Sequence, residues 1–240
     1  RDHRGGGRAS ARETAVRVAG GAFAQLLLNE FKIEILSGVL GIGKVVSDKV
    51  DFDFAKNSQI YALGNEEAMK EAVNKARSEH DSVGAVVLSV AKGVPAGLGE
   101  PLYDRLDSAL AAALMGINGV KAVEIGAGVN VSSMLGSANN DEMDELGFLS
   151  NNAGGILGGI SSGAQIVLKS HFKPTPSIFK EQKTLNLAGE AVDFELRGRH
   201  DPCIGIRGSV VATAMIRLVL ADMLLLNAST KLENLKKIYG

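Results

Sequence analysis

The sequence predicts an α+β fold in one compact unit, and three observations carry that reading. Segments with helical spacing of apolar residues interleave irregularly with short alternating segments, an order that disfavours a doubly wound parallel sheet. The late segments QIVLKSHF, KTLNL and EAVDFELRG alternate polar and apolar residues, as antiparallel strands with one wet face do. No Pro/Ser-rich or low-complexity linker divides the 240 residues, a length that can bury a sizeable core.

The elements follow in order. Ser10 with Glu13 three residues later reads as a capping box, followed by a helix with Ala15, Val18, Ala22 and Leu26 facing inward. Gly20-Gly21 inside this helix points to close packing, because glycine otherwise costs a helix ~1 kcal/mol. KIEILSGVLGIGKVV predicts one or two strands broken at glycines. Residues 65–80 form an amphipathic helix with Ala68, Ala72, Val73 and Ala76 inward, and SVGAVVLSV a strand. LYDRLDSALAAALMG predicts a helix buried through Leu102, Leu106, Ala109, Ala113 and Leu114, with KAVEIG as the strand after it. Residues 127–163 have the least regular pattern, and long irregular stretches in compact domains are commonly functional. The apolar stretch from GSVV to LLLNA and the short TKLENLKKIY give the last two helices.

Composition excludes several functions. With 26 basic against 27 acidic residues the net charge is −1, which gives no support to a nucleic-acid-coating surface. The single cysteine, Cys203, excludes an internal disulfide and a Cys-rich zinc site, and the four histidines show no ligand spacing, so no metal is expected. The run VATAMIRLVLADMLLL carries Arg217 and Asp222 and is too short to span a bilayer, and no signal peptide is recognisable; a cytoplasmic protein without membrane association is expected. Glycine is abundant, 29 of 240 residues against an average usage of ~7%, and it clusters in GGGR, GVLGIGK, GAGV and GGILGGISSG. Clusters of that kind serve tight turns or a close approach of backbone to a bulky group.

Three segments could carry chemistry. The opening RDHRGGGRAS sets Arg4 and Arg8 around three glycines just before a helix start, a recipe for binding an anion through free N–H groups and guanidinium forks. A basic surface turn would read the same. In HFKPTPSIF, Lys173 leaves a strand, and Pro174 and Pro176 stiffen a loop holding Thr175 and Ser177. That suits a phosphate or a polar ring edge, or simply a strand end terminated by prolines. GRHDPCI places Arg199, His200 and Asp201 together. Asp201 could transfer a proton if its surroundings tune it, or could form an ordinary Asp-Pro turn. Cys203 reads as a small core residue with no base beside it.

Five segments in register, RGGGRASARETAVRVAGGAFA, INGVKAVEIGAG, GFLSNNAGGILGGISSG, FKPTPSI and GRHDPCIGIR, closely resemble the later two-thirds of chorismate synthase, across essentially all of residues 1–240. The resemblance implies a β-α-β sandwich of antiparallel sheets with helices between them, in a single domain lacking the family's N-terminal third. It also implies a lyase that converts 5-enolpyruvylshikimate-3-phosphate to chorismate and phosphate by 1,4-anti elimination, in aromatic amino-acid biosynthesis. Reduced FMN is the implied cofactor, with reducing equivalents from NAD(P)H through an external flavin source, and a homotetramer is the implied assembly.

Carried over by motif, Arg8, Ala9, Ser10, Asn118, Gly119, Gly158, Lys173, Pro174, Thr175, Pro176, Ser177 and Arg199 would hold FMN. Arg4 and Arg8 would lie near the phosphate-bearing substrate. Asp201 matches the acidic residue proposed to take a proton from the flavin and assist substrate deprotonation. Ala9 stands where the family often has Ser, and Gly119 where it often has Ala. The family's Gly-Glu-Ser-His-Gly and His-Ala-Asp-Tyr-like segments, with their two histidines, have no counterpart here, and His3 is no substitute. The expectation is therefore an impaired enzyme. The alternatives are an inactive assembly module and, less favoured for want of a nucleotide loop or paired carboxylates, a small-molecule kinase.

Overall fold

A computed structural model describes Gly7, residues 10–196 and residues 200–240. Arg4, Arg8, Ala9 and Arg199 lie outside the described residues, so their expected roles have no structural counterpart here.

After a single 3-10 turn, the chain order is α1 (Thr14–Glu30), β1 (Glu34–Ile42), β2 (Val45–Val46), α2 (Phe52–Asn57), α3 (Glu66–Ser78), β3 (Ala85–Lys92), α4 (Leu106–Met115) and β4 (Val120–Ile125). The middle stretch breaks into a second 3-10 turn, α5 (Gly136–Asn139), β5 (Met143–Asp144), β6 (Gly147–Phe148), β7 (Ile156–Leu157) and β8 (Ile160–Ser161). Then come β9 (Ile166–Phe172), β10 (Gln182–Leu185), β11 (Ala191–Phe194), α6 (Gly205–Ala228) and α7 (Leu232–Tyr239). Five strands form one antiparallel sheet in the order β2-β1-β3-β9-β4. β10 and β11 pair with each other as a separate hairpin. The expected α+β class with antiparallel strands is what the chain adopts.

Alternation along β9 sorts its two faces. Ile166, Leu168 and Phe172 are buried beneath the helices in a core shared with Leu28, Leu106, Leu110, Leu114, Ile216 and Leu220. Each such side chain contributes roughly 1.5–3 kcal/mol by leaving water. On the opposite face, α2 and Leu63 cover Leu88 and Val90 in a smaller core. Beyond that cover, Glu124 of β4 takes an ion pair from Lys169 at 3.3 Å and sits 2.7 Å from Nε2 of His171.

Several details differ from the sequence reading. Ser10 accepts from the Arg12 amide and caps the 3-10 turn. Glu13 does not close a capping box: its carboxylate receives Arg17 Nε at 2.9 Å, and the Ser10 N–H donates to the Gly7 carbonyl. α1 also buries a different face. Gly21 and Leu28 are its buried residues, while Ala15, Ala22 and Leu26 are exposed. The glycines decide this: a Cβ on Gly21 would lie 2.6 Å from Cα of Ala214 on α6, so α1 is seated through its bare backbone. In α3 the anchor is Met69, fully buried, and Ala68 faces solvent. Leu102 precedes α4 and is exposed.

The last long helix is also longer than the apolar run suggested. α6 has 24 residues, and among the described residues it is the one helix long and apolar enough to cross a membrane. It packs instead as the central helix of the core, against α1, α4, β1, β3 and β9.

Candidate functional site

One end of the sheet gathers most of the described candidates. There β9 exits, β3 and β4 enter, α6 begins, and α3 and α4 have just ended.

The Lys173 amide donates to the Gly119 carbonyl at 2.9 Å, joining the Lys173–Ser177 loop to the Asn118-Gly119 turn. Gly119 has φ +93°, a backbone conformation that favours glycine, and a Cβ there would press on the terminal Cδ1 of Ile204, which that side chain can relieve by turning. The alanine frequent in the family would meet Ile204 in this chain. Arg17 reaches the same region from α1, with Nη1 donating to the Gly116 carbonyl at 3.0 Å. Thr175 Oγ1 donates to the Asp201 carbonyl at 2.7 Å, which fastens the loop to the segment before α6.

The Asp201 carboxylate is held at both oxygens. Oδ1 accepts the Cys203 amide at 3.1 Å, and Oδ2 pairs with Arg207 Nη1 at 3.0 Å. Cys203 is fully buried, and burial pushes its thiol up to about 11, which fits the core role and leaves it protonated at neutral pH. Beside Asp201 opens a cavity of about 340 Å³ whose lining includes Ser177, Phe179, His200, His80 and Arg77. The Phe179 ring stands between two imidazoles, with centroids 6.3 Å from His80 and 5.5 Å from His200.

Gly158 is not part of this gathering. It turns the β7–β8 hairpin with φ +58° and open space around it, next to Gly159, whose carbonyl receives the Leu106 amide at the start of α4. That hairpin precedes β9, whereas Lys173 follows it, so a strand of seven residues, about 20 Å, separates the two. Ser10 lies before α1, tied locally to Gly7 and Arg12. A second cavity of about 500 Å³, lined by Gln25, Lys32, Lys56 and Arg217 among others, contains none of the expected residues. Among the described residues no group of three His, Cys, Asp or Glu side chains is placed to hold a metal ion.

Sequence reasoning missed the turn between α3 and β3. His80 is the last residue of the stretch expected as an amphipathic helix, 65–80, and carries no further expectation. It has φ +56°, its ring packs edge-on against Phe179, and its carbonyl accepts the Phe179 amide at 3.1 Å. Asp81 pairs with Lys180 at 2.6 Å, and the Lys180 and Ser82 hydrogen bonds hold its carboxyl below the ordinary range. The only signal available beforehand was the adjacent His-Asp pair itself.

With the Thr175 hydroxyl committed to Asp201, the exposed Lys173, the Ser177 hydroxyl and the aromatic-lined cavity fit a polar, ring-bearing ligand with an anionic group. Comparison with known proteins identifies the family of the chain. The family model for chorismate synthase matches residues 1–225. The chain is 98% identical over 240 residues to a chorismate synthase of Campylobacter concisus (strain 13826), covering all of this chain and 68% of that protein. It is 73% identical over 239 residues to that of Campylobacter curvus (strain 525.92), again spanning 68% of the relative. A crystal structure of chorismate synthase superposes with a TM-score of 0.78 at 32% identity, over 95% of this chain and 68% of the other. By family model, sequence and fold, the chain belongs to the chorismate synthase family.

Proposed function

We propose that this chain carries the flavin-binding and proton-handling part of a lyase that forms chorismate from 5-enolpyruvylshikimate-3-phosphate. The observation that supports this best is the convergence of Lys173, Thr175, Gly119 and Asp201 on one sheet end through direct hydrogen bonds. In this reading Lys173 and Ser177 donate to the phosphate tail and polar edge of reduced FMN, Pro174, Thr175 and Pro176 shape the loop that carries them, and Asn118 and Gly119 back that loop. Reduced FMN, when bound, supplies electron density to the allylic C–O bond as it breaks. Asp201 takes a proton from the flavin at its carboxylate and so assists deprotonation of the substrate. Arg4, Arg8, Ser10 and Arg199 belong to the same proposal as anion and flavin contacts, and Gly158 as a more distant one. Arginine forks would stabilise the departing phosphate.

A homotetramer and a cytoplasmic location complete the proposal, with flavin reduced externally by NAD(P)H. The chain spans about two thirds of the length of the chorismate synthases it matches.

The test is a titration of the folded chain with FMN under reducing conditions, followed by substrate addition, reading the flavin absorbance spectrum. A saturable perturbation that changes again with 5-enolpyruvylshikimate-3-phosphate is expected. An unperturbed spectrum from correctly folded protein would sink the proposal.

A further inference from the structure

The turn between α3 and β3 is separated by more than ninety residues from the loop it grips. Ser82 Oγ donates to the Thr175 carbonyl at 2.7 Å, across 93 residues of sequence. Thr175 uses its own hydroxyl to reach the Asp201 carbonyl, also at 2.7 Å. Thr175 is therefore held on both sides: its carbonyl by Ser82, its hydroxyl by Asp201. The flanking contacts keep this relay in place. Val83 N–H donates to the Pro202 carbonyl at 2.9 Å, the Phe179 amide to the His80 carbonyl at 3.1 Å, and Lys180 pairs with Asp81. Gly84 fixes the approach, since a Cβ there would lie 2.8 Å from the Phe172 carbonyl and 3.3 Å from Pro174 Cδ. Two loops without regular structure, residues 173–181 and 200–204, thus share one rigid support at the entrance to β3.

We propose that Ser82 is a positioning residue: acting through Thr175, it sets where the Asp201 carboxylate stands relative to the Lys173–Ser177 loop. The catalytic meaning of this rests on the functional reading above, but the mechanical coupling does not. Loops are the least constrained parts of a fold, and a site built on two of them needs an anchor to keep its groups in register. The Ser82 hydroxyl bonds Thr175 and neither Asp201 nor Lys173, so its side chain acts on them through Thr175, alongside the separate backbone link from Val83 to Pro202.

The test uses amide hydrogen exchange on the ligand-free chain. The Cys203 amide donates to Asp201 Oδ1 and so reports the carboxylate itself. Ser82→Ala is expected to speed exchange at Cys203 by about tenfold, the worth of one lost hydrogen bond. Ser82→Thr, which keeps a hydroxyl, restores the slow rate. In a Thr175→Val background, Ser82→Ala adds no further acceleration, because the relay is already cut. Unchanged exchange at Cys203, or fully additive effects of the two substitutions, overturns the proposal whatever the flavin result. A parallel FMN titration separates the two ideas: Ser82→Ala binding about tenfold more weakly than the parent chain agrees with the proposal. A parent chain that leaves the flavin spectrum unperturbed overturns the functional reading, and with it the catalytic role of Ser82, while the exchange data still judge the coupling.

Discussion

Asp201 has both carboxylate oxygens engaged and lines a cavity shared with two imidazoles, an arrangement that fixes the orientation of its carboxylate. Replacing it by Asn keeps the shape and one acceptor oxygen for the Cys203 amide but removes the charge and the base. Asp201→Asn is expected to slow turnover of a full-length relative carrying the same residue by 10²-fold or more, with little change in thermal midpoint. Unchanged turnover in steady-state assays would remove Asp201 from the mechanism. Residue-scale features were unevenly legible. Asp201 and Lys173 stood out because charged groups beside prolines in short loops are chemically conspicuous. Ser82 did not, since a serine after a helix is ordinary until the fold lays Thr175 on top of it.

Among the elements, the pairing of α1 with α6 is set by two adjacent glycines with opposite expected behaviour. A Cβ on Gly20 would rest 3.6 Å from Leu218 Cδ2, an ordinary contact, so Gly20→Ala should stabilise the chain by up to about 1 kcal/mol through helix propensity. A Cβ on Gly21 would come within 2.6 Å of Ala214, whose backbone cannot yield without moving α6, so Gly21→Ala should cost about 1–3 kcal/mol. Urea unfolding of the two variants checks both signs. Apolar periodicity picks another face of α1 because it registers side chains, whereas the Gly20-Gly21 pair does signal the close contact, made at Gly21 where the side chain is missing.

Glu124 gives the sheet a pH-dependent staple between β4 and β9. Burial raises its carboxyl, but hydrogen bonds and charge from Lys169 and His171 outweigh that and leave it below the ordinary value near 4.5. A depressed carboxyl contributes stability above its unfolded value and loses it as pH falls through the folded one. The parent chain should therefore exceed Glu124→Gln by about 1 kcal/mol near neutrality, with the gap closing as pH falls below the ordinary carboxylate value. A constant gap across that window in urea titrations would show that charge is not its source. β4 and β9 were legible as strands, but their pairing was not, because register depends on which distant strand arrives beside them.

At the scale of the molecule, the helix layer is covered by the sheet on one side and bare on the other. Val16, Phe23 and Leu26 stand 77%, 75% and 63% exposed along one stripe of α1. Contiguous apolar surface of this sort marks a contact face. Sedimentation at micromolar concentration is expected to show species heavier than 25.1 kDa, and Phe23→Glu with Leu26→Glu to shift them towards the monomer. A strictly monomeric parent chain would count against the homotetramer. The α+β class and the antiparallel strands were legible from periodicity. The grouping of five strands into one sheet, with β10 and β11 apart, follows from long-range pairings that no local pattern encodes.

The central place of α6 has a consequence for how the molecule is made. Every strand of the sheet is synthesised before it, and the helix that closes the core over β1, β3 and β9 arrives only after them. Until then Ile35, Val87 and Leu168 have only α1 and α4 to cover them and lack the central helix of the finished core. On a ribosome adding roughly 5–20 residues each second, the nascent chain must carry that open apolar surface for several seconds. During that interval, shielding of the half-built sheet matters to the chain alongside the stability of the finished fold.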